Sequence, residues 1–199
     1  MTVNSLPPLT IKNIKLTLKT QVKWQPIAGK RLFLDNDQVV ITVYRTNQKL
    51  IHLTKIKNFD HMNKILCRIK PVILRQTFLA TGRTLPFQVV IDSVFASRNA
   101  RACKKNYNMA HLVHVCSILL HDRYKISYEP ELAPGCYLRS NVNLITKKLP
   151  QITLFATGSV TVMGIKSQTD FNNTQEIIDK IFAHYETSRL SRQQTANDS

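Results

Sequence analysis

The chain is 199 residues long and 43% hydrophobic, which is enough for one packed domain or two fused small ones. Lysine and arginine number 28 against 12 acidic residues, so the formal charge is +16 and favours a polyanionic partner. Nucleic acid is the first candidate, although a ribosomal or otherwise merely basic protein has the same balance. With neither a signal peptide nor an apolar run of about 18 residues, the sequence predicts a soluble intracellular protein.

Hydrophobic spacing predicts a succession of strands and helices. Ile14, Leu16 and Leu18 alternate with polar and basic residues, as in a strand with one buried face. Asn58 is a suitable N-cap for the helix that follows it, and Pro71 is expected to end or kink that helix. The predicted elements in chain order are a strand over 11–19, a loop with a short strand within 25–38, a hairpin over 39–44 and 50–53, a helix from 59, a strand over 89–96, a helix or helix pair over 108–120, strands over 137–142, 151–155 and 160–163, and a helix over about 170–185.

The order strand, turn, strand and helix occurs twice, which predicts an internal repeat. The segment from Val43 to the Phe59 helix parallels the segment from Leu154 to the Phe171 helix, with a turn one residue longer in the first copy. The two copies are only weakly alike in sequence. A chance match of strand, turn and strand is therefore the alternative at this point.

A long ordered motif occupies residues 127–164. It begins Ser-Tyr-Glu-Pro-Glu-Leu-Ala-Pro-Gly at 127–135 and continues with a hairpin over 154–164 whose turn is Thr-Gly-Ser. This motif resembles the second half of the TATA-box-binding protein (TBP) core, and the resemblance extends over roughly residues 10–187. It implies an α+β fold, the TBP-like saddle, in which a pseudo-two-fold curved antiparallel sheet carries helices on its convex face.

The resemblance also implies a division of the chain into repeats. Residues 10–87 are predicted to be a first, degenerate repeat, shortened between Trp24 and Val39, and residues 88–187 a second repeat. Residues 1–9 are predicted to be a flexible N-terminus and the polar residues 188–199 a disordered tail.

The family's DNA wedges are only partly retained. In the family, the concave face of the sheet lies on a widened minor groove, and four phenylalanines wedge between base steps at a cost of about a few kcal/mol per unstacked step. One wedge position is Ala133 here, whose methyl group cannot reach between bases, whereas Phe155 keeps the partner position. Tyr44 takes the equivalent place in the first repeat, and Phe33 is the candidate for the fourth.

Other groove-lining positions have become polar. Of the two central asparagines of the family's DNA face, Asn13 remains and Ser93 replaces the other. These replacements predict weak or no TATA selectivity, while lysines still bind the phosphates. In these features the sequence resembles the divergent TBP-like factor (TLF) branch, whose members lack TATA binding. The residues assigned to DNA are Asn13, Lys15, Thr17, Lys19, Thr42, Tyr44, Ser93, Phe95, Gln151, Thr153, Phe155 and Thr161.

The acidic segment of the motif has a separate implied role. In the family this stirrup contacts the general factor TFIIB, and the contact residues stand here as Glu129, Glu131 and Leu132. Two carboxylates on a strongly basic chain suit a specific protein partner, although a merely solvated acidic loop is the alternative. TFIIA, which in the family docks on the edge of the first repeat, is a further candidate partner.

Catalytic and metal motifs are missing from the sequence. Residues 28–31 lack the upstream glycine and the hydroxyl residue of a phosphate loop, and the two stirrup glutamates have no pocket around them. His111, His114 and Cys116 are close in sequence, but a metal site needs a further ligand. No Cys-x-x-Cys pair occurs among Cys67, Cys103, Cys116 and Cys136. An enzyme, a cofactor and a metal are therefore not expected.

Two functions from different classes remain open. The first is a monomeric nuclear initiation factor that binds promoter DNA through its minor groove and recruits TFIIB to assemble the RNA polymerase II preinitiation complex. The second is an interaction module without useful DNA binding, which competes with TBP for TFIIA or TFIIB. Lys15, Lys19 and Tyr44 favour the first, whereas Ala133 and the shortened first repeat favour the second.

Overall fold

The computed structural model describes residues 6–34, 37–100, 103, 105–141 and 148–197. The strands are β1 Thr10–Lys19, β2 Ile27–Leu34, β3 Asp37–Val43, β4 Leu50–Ile56, β5 Gln88–Arg98, β6 Tyr124–Ser127, β7 Gly135–Ser140, β8 Gln151–Phe155 and β9 Val160–Ile165, and the helices are α1 Phe59–Thr81, α2 Met109–Leu120 and α3 Gln168–Asn197. Strand neighbours follow the order β2-β3-β4-β1-β5-β9-β8-β7-β6.

The chain divides into two compact units. The first unit is Ile11–Phe95, and the second comprises Ala96–Ser199 with the segment that ends at Thr10. The division falls within β5, whereas the repeats predicted from the sequence divide between residues 87 and 88. Leu9 in the predicted flexible N-terminus is buried, while residues 1–5 lie outside the described part of the chain.

The first unit is built on the alternation of β1. Ile14, Leu16 and Leu18 are fully buried, which confirms the strand predicted there, and β1 pairs with β4 in antiparallel register. The register shifts between Ile14 and Leu16, and opposite that shift Lys55 takes a left-handed backbone with φ of 65°. Its N–H donates to Asn13 Oδ1 at 2.8 Å, so a side chain of β1 holds this β-bulge in place.

Helix α1 continues well beyond Pro71, where the sequence predicted an end or a kink. Pro71 is exposed, while Ile65, Ile73 and Thr77 continue a buried stripe on the other side. A proline on the solvent side loses one backbone hydrogen bond without interrupting the packed face. The helix instead ends at Gly82, which has φ of 70° and donates to the Phe78 carbonyl at 2.8 Å.

The connection between β1 and β2 contains no helix within its described residues 20–26. It is fastened to the β3–β4 turn by two backbone bonds, from Thr20 N–H to the Lys49 carbonyl at 2.8 Å and from Trp24 N–H to the Gln48 carbonyl at 2.9 Å. The shortening predicted for the first repeat between Trp24 and Val39 stays a prediction. Strand β2 follows this connection with eight residues, where the sequence predicted mostly loop.

The second unit packs two helices on its strands. From α2, Leu112, Val115 and Cys116 are buried, and Asn108 caps this helix by accepting from the His111 N–H at 2.9 Å. From α3, Ile178 and Ile181 belong to the buried stripe predicted for the last helix. Strands β8 and β9 contribute the buried side chains Ile152, Leu154, Val160 and Val162.

Three features of the second unit differ from the sequence prediction. Strand β6 was not predicted, because four residues with one buried tyrosine give too short a pattern. Strand β7 begins at Gly135 and ends at Ser140, and Val142 lies outside the described residues. Helix α3 extends to Asn197 through the segment predicted as a disordered tail, since no glycine or proline follows Tyr185 to end it. No helix within the described ranges is long and apolar enough to cross a bilayer.

Candidate nucleic-acid interface

The first unit carries a polar strand face opposite its buried side chains. Thr17 on β1 is paired with His52 on β4, and His52 is paired with Thr42 on β3. These three polar residues form one row across neighbouring strands, and two of them, Thr17 and Thr42, are among the residues assigned to DNA. The Thr17 hydroxyl lies 3.0 Å from His52 Nδ1 and donates to Asp92 Oδ2, and Thr17 is only 4% exposed. We call this row with Asn13, Lys15, Lys19 and Tyr44 the first polar face.

Three residues of the first polar face point cations or an aromatic ring outwards. Lys15 and Lys19 are exposed on alternate positions of β1. Tyr44 follows β3, is 56% exposed, and meets the His52 ring edge-on with centroids 5.2 Å apart. The Tyr44 ring is therefore positioned by a neighbour yet available to a ligand. The side chain of Phe33, the candidate fourth wedge, lies outside the described part of the chain.

The second unit carries a corresponding face, the second polar face, on three neighbouring strands. Thr153 of β8 pairs with Tyr137 of β7 on one side and with Thr161 of β9 on the other. Thr153 is 7% exposed beneath its neighbours, and Thr161 is half-buried. Gln151 and Phe155 lie on the same face, two residues to either side of Thr153.

Phe155 lies against a glycine on the next strand. It is paired with Gly135, where an added Cβ would lie 3.2 Å from Phe155 Cε1 and 2.8 Å from Thr153 Cγ2. A side chain at position 135 would therefore displace the ring. The tight turn that follows is closed by Phe155 N–H to the Ser159 carbonyl at 3.0 Å and by Gly158 N–H to the Phe155 carbonyl at 2.9 Å. Hairpin and glycine together hold a half-buried aromatic ring at the end of β8.

The two remaining predicted DNA residues lie on β5. Ser93 is half-buried and Phe95 is 37% exposed, on either side of the fully buried Val94. They therefore face away from the side that packs in the core. For all twelve residues assigned to DNA the contact itself stays a prediction.

Sequence reasoning missed four members of the second polar face. Lys125, Tyr137 and Arg139 are brought onto it by the pairings of β6 with β7 and of β7 with β8, and Met163 by its pairing with Gln151. The Arg139 guanidinium lies 5.7 Å from the Tyr137 ring centroid, so the two act as one unit. The available sequence signal for Tyr137 and Arg139 was their alternation with the buried Cys136 and Leu138. The pairing of β7 with its neighbouring strands was not visible in the sequence.

The stirrup predicted to bind a protein forms a compact loop between β6 and β7. Its turn is closed by the Glu129 carbonyl, which accepts from the N–H groups of Leu132 at 3.0 Å and Ala133 at 2.9 Å. Leu132 is 80% exposed, and Glu129 and Glu131 are exposed beside it. The loop therefore presents an apolar side chain and two carboxylates to solvent.

Of the three residues weighed as metal ligands, His111 and Cys116 take part in packing and His114 is exposed. His111 Nε2 lies 3.0 Å from the Ser188 hydroxyl, and its ring is tilted on Tyr185 with centroids 4.6 Å apart. Burial and the neighbouring Cys136 thiol raise the pKa of Cys116 far above the usual range, so this thiol stays protonated. Among the described residues no cluster of three His, Cys, Asp or Glu could hold a metal.

Comparison with known proteins agrees with this architecture. The family model described as "Transcription factor TFIID (or TATA-binding protein, TBP)" matches residues 103–185. The chain is also similar to the solved structure of Methanococcus jannaschii TBP, with a TM-score of 0.53 and 18% identity over 89% of this chain and 99% of that one. No curated protein matches the sequence.

The likeness to the solved structure confirms the TBP-like saddle fold of class α+β, and the family match supports the TBP family over residues 103–185. The TBP family is one of transcription factors, in agreement with the expectation that the chain is not an enzyme. Assignment to the TBP-like factor branch stays a prediction, because the matched features are common to the family. The matched segment contains Phe155, Thr153, Thr161 and the stirrup, whereas the first polar face lies outside it.

Proposed function

We propose that the chain is a general transcription initiation factor of TBP type that binds duplex DNA by the minor groove with weak or no TATA selectivity. The observation that carries the proposal is the seating of Phe155 over Gly135 at the end of β8. One edge of a rigid, half-buried ring next to a glycine can project from the strand surface and insert into a base step. Apolar side chains that insert in this way bend DNA. Tyr44 is the counterpart in the first unit.

Weak selectivity follows from the hydroxyl groups in the middle of both faces. Thr17 already bonds to His52 and Asp92, and the central position of the second face is a threonine between Tyr137 and Thr161. Polar side chains can pair with the minor-groove acceptors that A·T and G·C pairs both present, so such contacts discriminate poorly between sequences. An apolar surface that selects A·T steps by fit is thereby lost.

Affinity is then supplied mainly by phosphate contacts. The first polar face includes the exposed Lys15 and Lys19, and the second polar face includes the exposed Lys125 and Arg139. Each cation that neutralises a phosphate releases a counterion, so binding weakens steeply with salt. The overall charge of +16 adds a long-range attraction of the same sign.

The stirrup supplies the contact to the transcription machinery. Leu132 at 80% exposure, preceded by two exposed glutamates in the same loop, is suited to a small apolar pocket rimmed by basic residues. We assign this loop to TFIIB, which places the protein in the nucleus at RNA polymerase II promoters. TFIIA remains a second candidate, at the edge strand β2 of the first unit.

The test is a gel-shift titration on a TATA duplex and a scrambled duplex from 50 to 200 mM salt. We expect equal affinity for the two sequences and a loss of affinity of about a thousandfold over that range if about six phosphates are contacted. A preference for TATA above about tenfold would contradict the proposed selectivity. In a pull-down, Glu131→Lys should abolish TFIIB capture and leave the gel-shift unchanged, with Glu176→Lys on α3 as the matched control.

The interaction module remains the alternative function because of two observations. Asp92 places a carboxylate against Thr17 on the first polar face, where it opposes phosphate. Ala133 occupies a wedge position with a methyl group. If no duplex is shifted at 50 mM salt while TFIIB is still captured, this alternative replaces DNA binding.

A further inference from the structure

A cavity of about 440 Å³ lies in the second unit, between α3, the segment around Leu6 and Pro8, and the end of β5. Apolar groups form most of its wall, including Leu6, Pro8 and Phe182. Arg98 also lines it. Neither the DNA contacts nor the stirrup make use of this cavity.

Arg98 is unusual in being a buried arginine with unused donors. It is 3% exposed, and its Nη2 binds Asp179 Oδ1 on α3. Its Nε and Nη1 are buried and have no hydrogen-bond partner among the described residues. Leaving charged donors unpaired in a protein interior is costly, which indicates that they serve an acceptor that enters from outside.

The charges around Arg98 indicate the sign of that acceptor. The Asp179 side chain is 52% exposed, so solvent screens much of its compensation of the guanidinium. Glu186 is already bound to Lys105 at 3.1 Å and lies 3.4 Å from Arg189. Among the described residues, the cavity groups without a hydrogen-bond partner are the Arg98 donors and the Tyr107 hydroxyl. Both can donate to an acceptor, and the charge of the guanidinium favours an anion.

Aromatic packing indicates what the anion is attached to. The Arg98 guanidinium lies 5.9 Å from the Phe182 ring centroid, and Phe182 meets Tyr107 edge-on at 4.9 Å. This fixed arrangement leaves Arg98 with little freedom to turn away. With Leu6 and Pro8 on the remaining wall, the cavity suits a flat or branched apolar group next to the charge.

We propose that this cavity binds a carboxylate carried on an apolar body, with Nε or Nη1 of Arg98 as the donor. The carboxylate can come from a free organic acid or from an acidic side chain flanked by apolar residues in a partner peptide. Binding here is independent of DNA, because the cavity lining shares no residue with the predicted DNA contacts.

The experiment follows the Arg98 Nε–H resonance in protein labelled with ¹⁵N-arginine, identified by its loss in Arg98→Lys. Benzoate, neutral benzamide and the blocked peptide acetyl-Leu-Asp-Phe-amide are titrated separately. We expect a saturable downfield shift with benzoate, with the peptide, or with both, and none with benzamide. Benzoate alone identifies a free acid as the source, and the peptide alone identifies a side chain.

Two variants on α3 locate the effect. Ala183→Leu fills the cavity and should weaken binding about tenfold or more, which is the loss expected for a hydrogen bond to a charged group. The control is His184→Leu at the adjacent exposed position, which should leave binding unchanged. Asp179→Asn should strengthen binding, because it removes the carboxylate that competes for Arg98. No saturable shift with any acid, an equal shift with benzamide, or unchanged binding in Ala183→Leu would overturn the proposal.

Discussion

The two units share one construction and differ in what is added to it. In both, a hairpin leads through Ile-Lys into a long helix, at Ile56 and at Ile165. Asn58 accepts from the backbone N–H three residues on at 2.7 Å, and Ser167 does the same at 3.0 Å. In each unit the side chain of the third helical residue accepts a hydrogen bond from the backbone N–H of the lysine that precedes the cap, at 3.2 Å in the first unit and 3.3 Å in the second. The capping is therefore repeated while the side chains that perform it differ.

A left-handed residue at the same place completes the likeness. Gly164 immediately precedes Ile165 with φ of 86°, and Lys55 immediately precedes Ile56 with φ of 65°. Besides this shared geometry, the second unit contains α2 and the stirrup, whereas in the first unit residues 20–26 form a short connection. The two units thus share their backbone geometry at the entry to the long helix, although the side chains there differ.

The largest expected effect tests the added helix. Leu112→Ala should lower the free energy of unfolding by about 3 kcal/mol, because Leu112 is fully buried on the packed face of α2 and truncation leaves a cavity. Ile118→Ala on the same helix is the control, since Ile118 is 52% exposed and should change stability by less than about 0.5 kcal/mol. Urea titration with hydrogen exchange should place the loss in the second unit, and equal losses for the two variants would contradict the packing described for α2.

The next effect compares the aromatic residues of the two faces. Phe155→Ala should weaken binding to a scrambled duplex about tenfold, the usual value of one base-stacking ring. Tyr44→Ala should weaken it less, because the Tyr44 hydroxyl opposes entry into an apolar base step. Both are measured by gel-shift below the melting temperature of each variant, and Phe171→Ala controls for a mere loss of an aromatic residue. A larger effect at Tyr44 would reverse the ranking of the faces.

A smaller effect concerns the left-handed position. Lys55→Gly should stabilise the chain by about 1 kcal/mol, because glycine has no Cβ to clash in this conformation. Gly164→Ala should destabilise it by a similar amount, also about 1 kcal/mol. Lys57→Gly, two residues on, provides the control with the same change of side chain. If Lys55→Gly and Lys57→Gly shift the urea midpoint alike, the strain assigned to Lys55 does not exist.

The smallest effect is in the salt dependence of DNA binding. Lys125→Gln should reduce the slope of log affinity against log salt by about 1, as for one lost phosphate contact, and lower affinity equally on all sequences. Lys180→Gln on α3 removes the same charge elsewhere and should leave the slope unchanged. An equal reduction by both would mean that overall charge, and not the second polar face, attracts the DNA.

The sequence predicted those elements whose pattern is local. Strand β1, the β3–β4 hairpin and the pair β8 and β9 have clean alternation, and Asn58 and Asn108 are recognisable caps. The path of α1 through Pro71 could not be predicted, because it depends on which side of the helix faces the core. Tyr137 and Arg139 were missed for a related reason, since their place beside Thr153 follows from a register between strands far apart in sequence.

The short connection between β1 and β2 also contains Trp24, the chain's single tryptophan. The indole therefore reports only on the first unit when it is excited selectively. Five of the six tyrosines lie in the second unit. A thermal scan that records indole emission beside near-ultraviolet tyrosine absorbance would thus show, without any label, whether the two units melt together or one after the other.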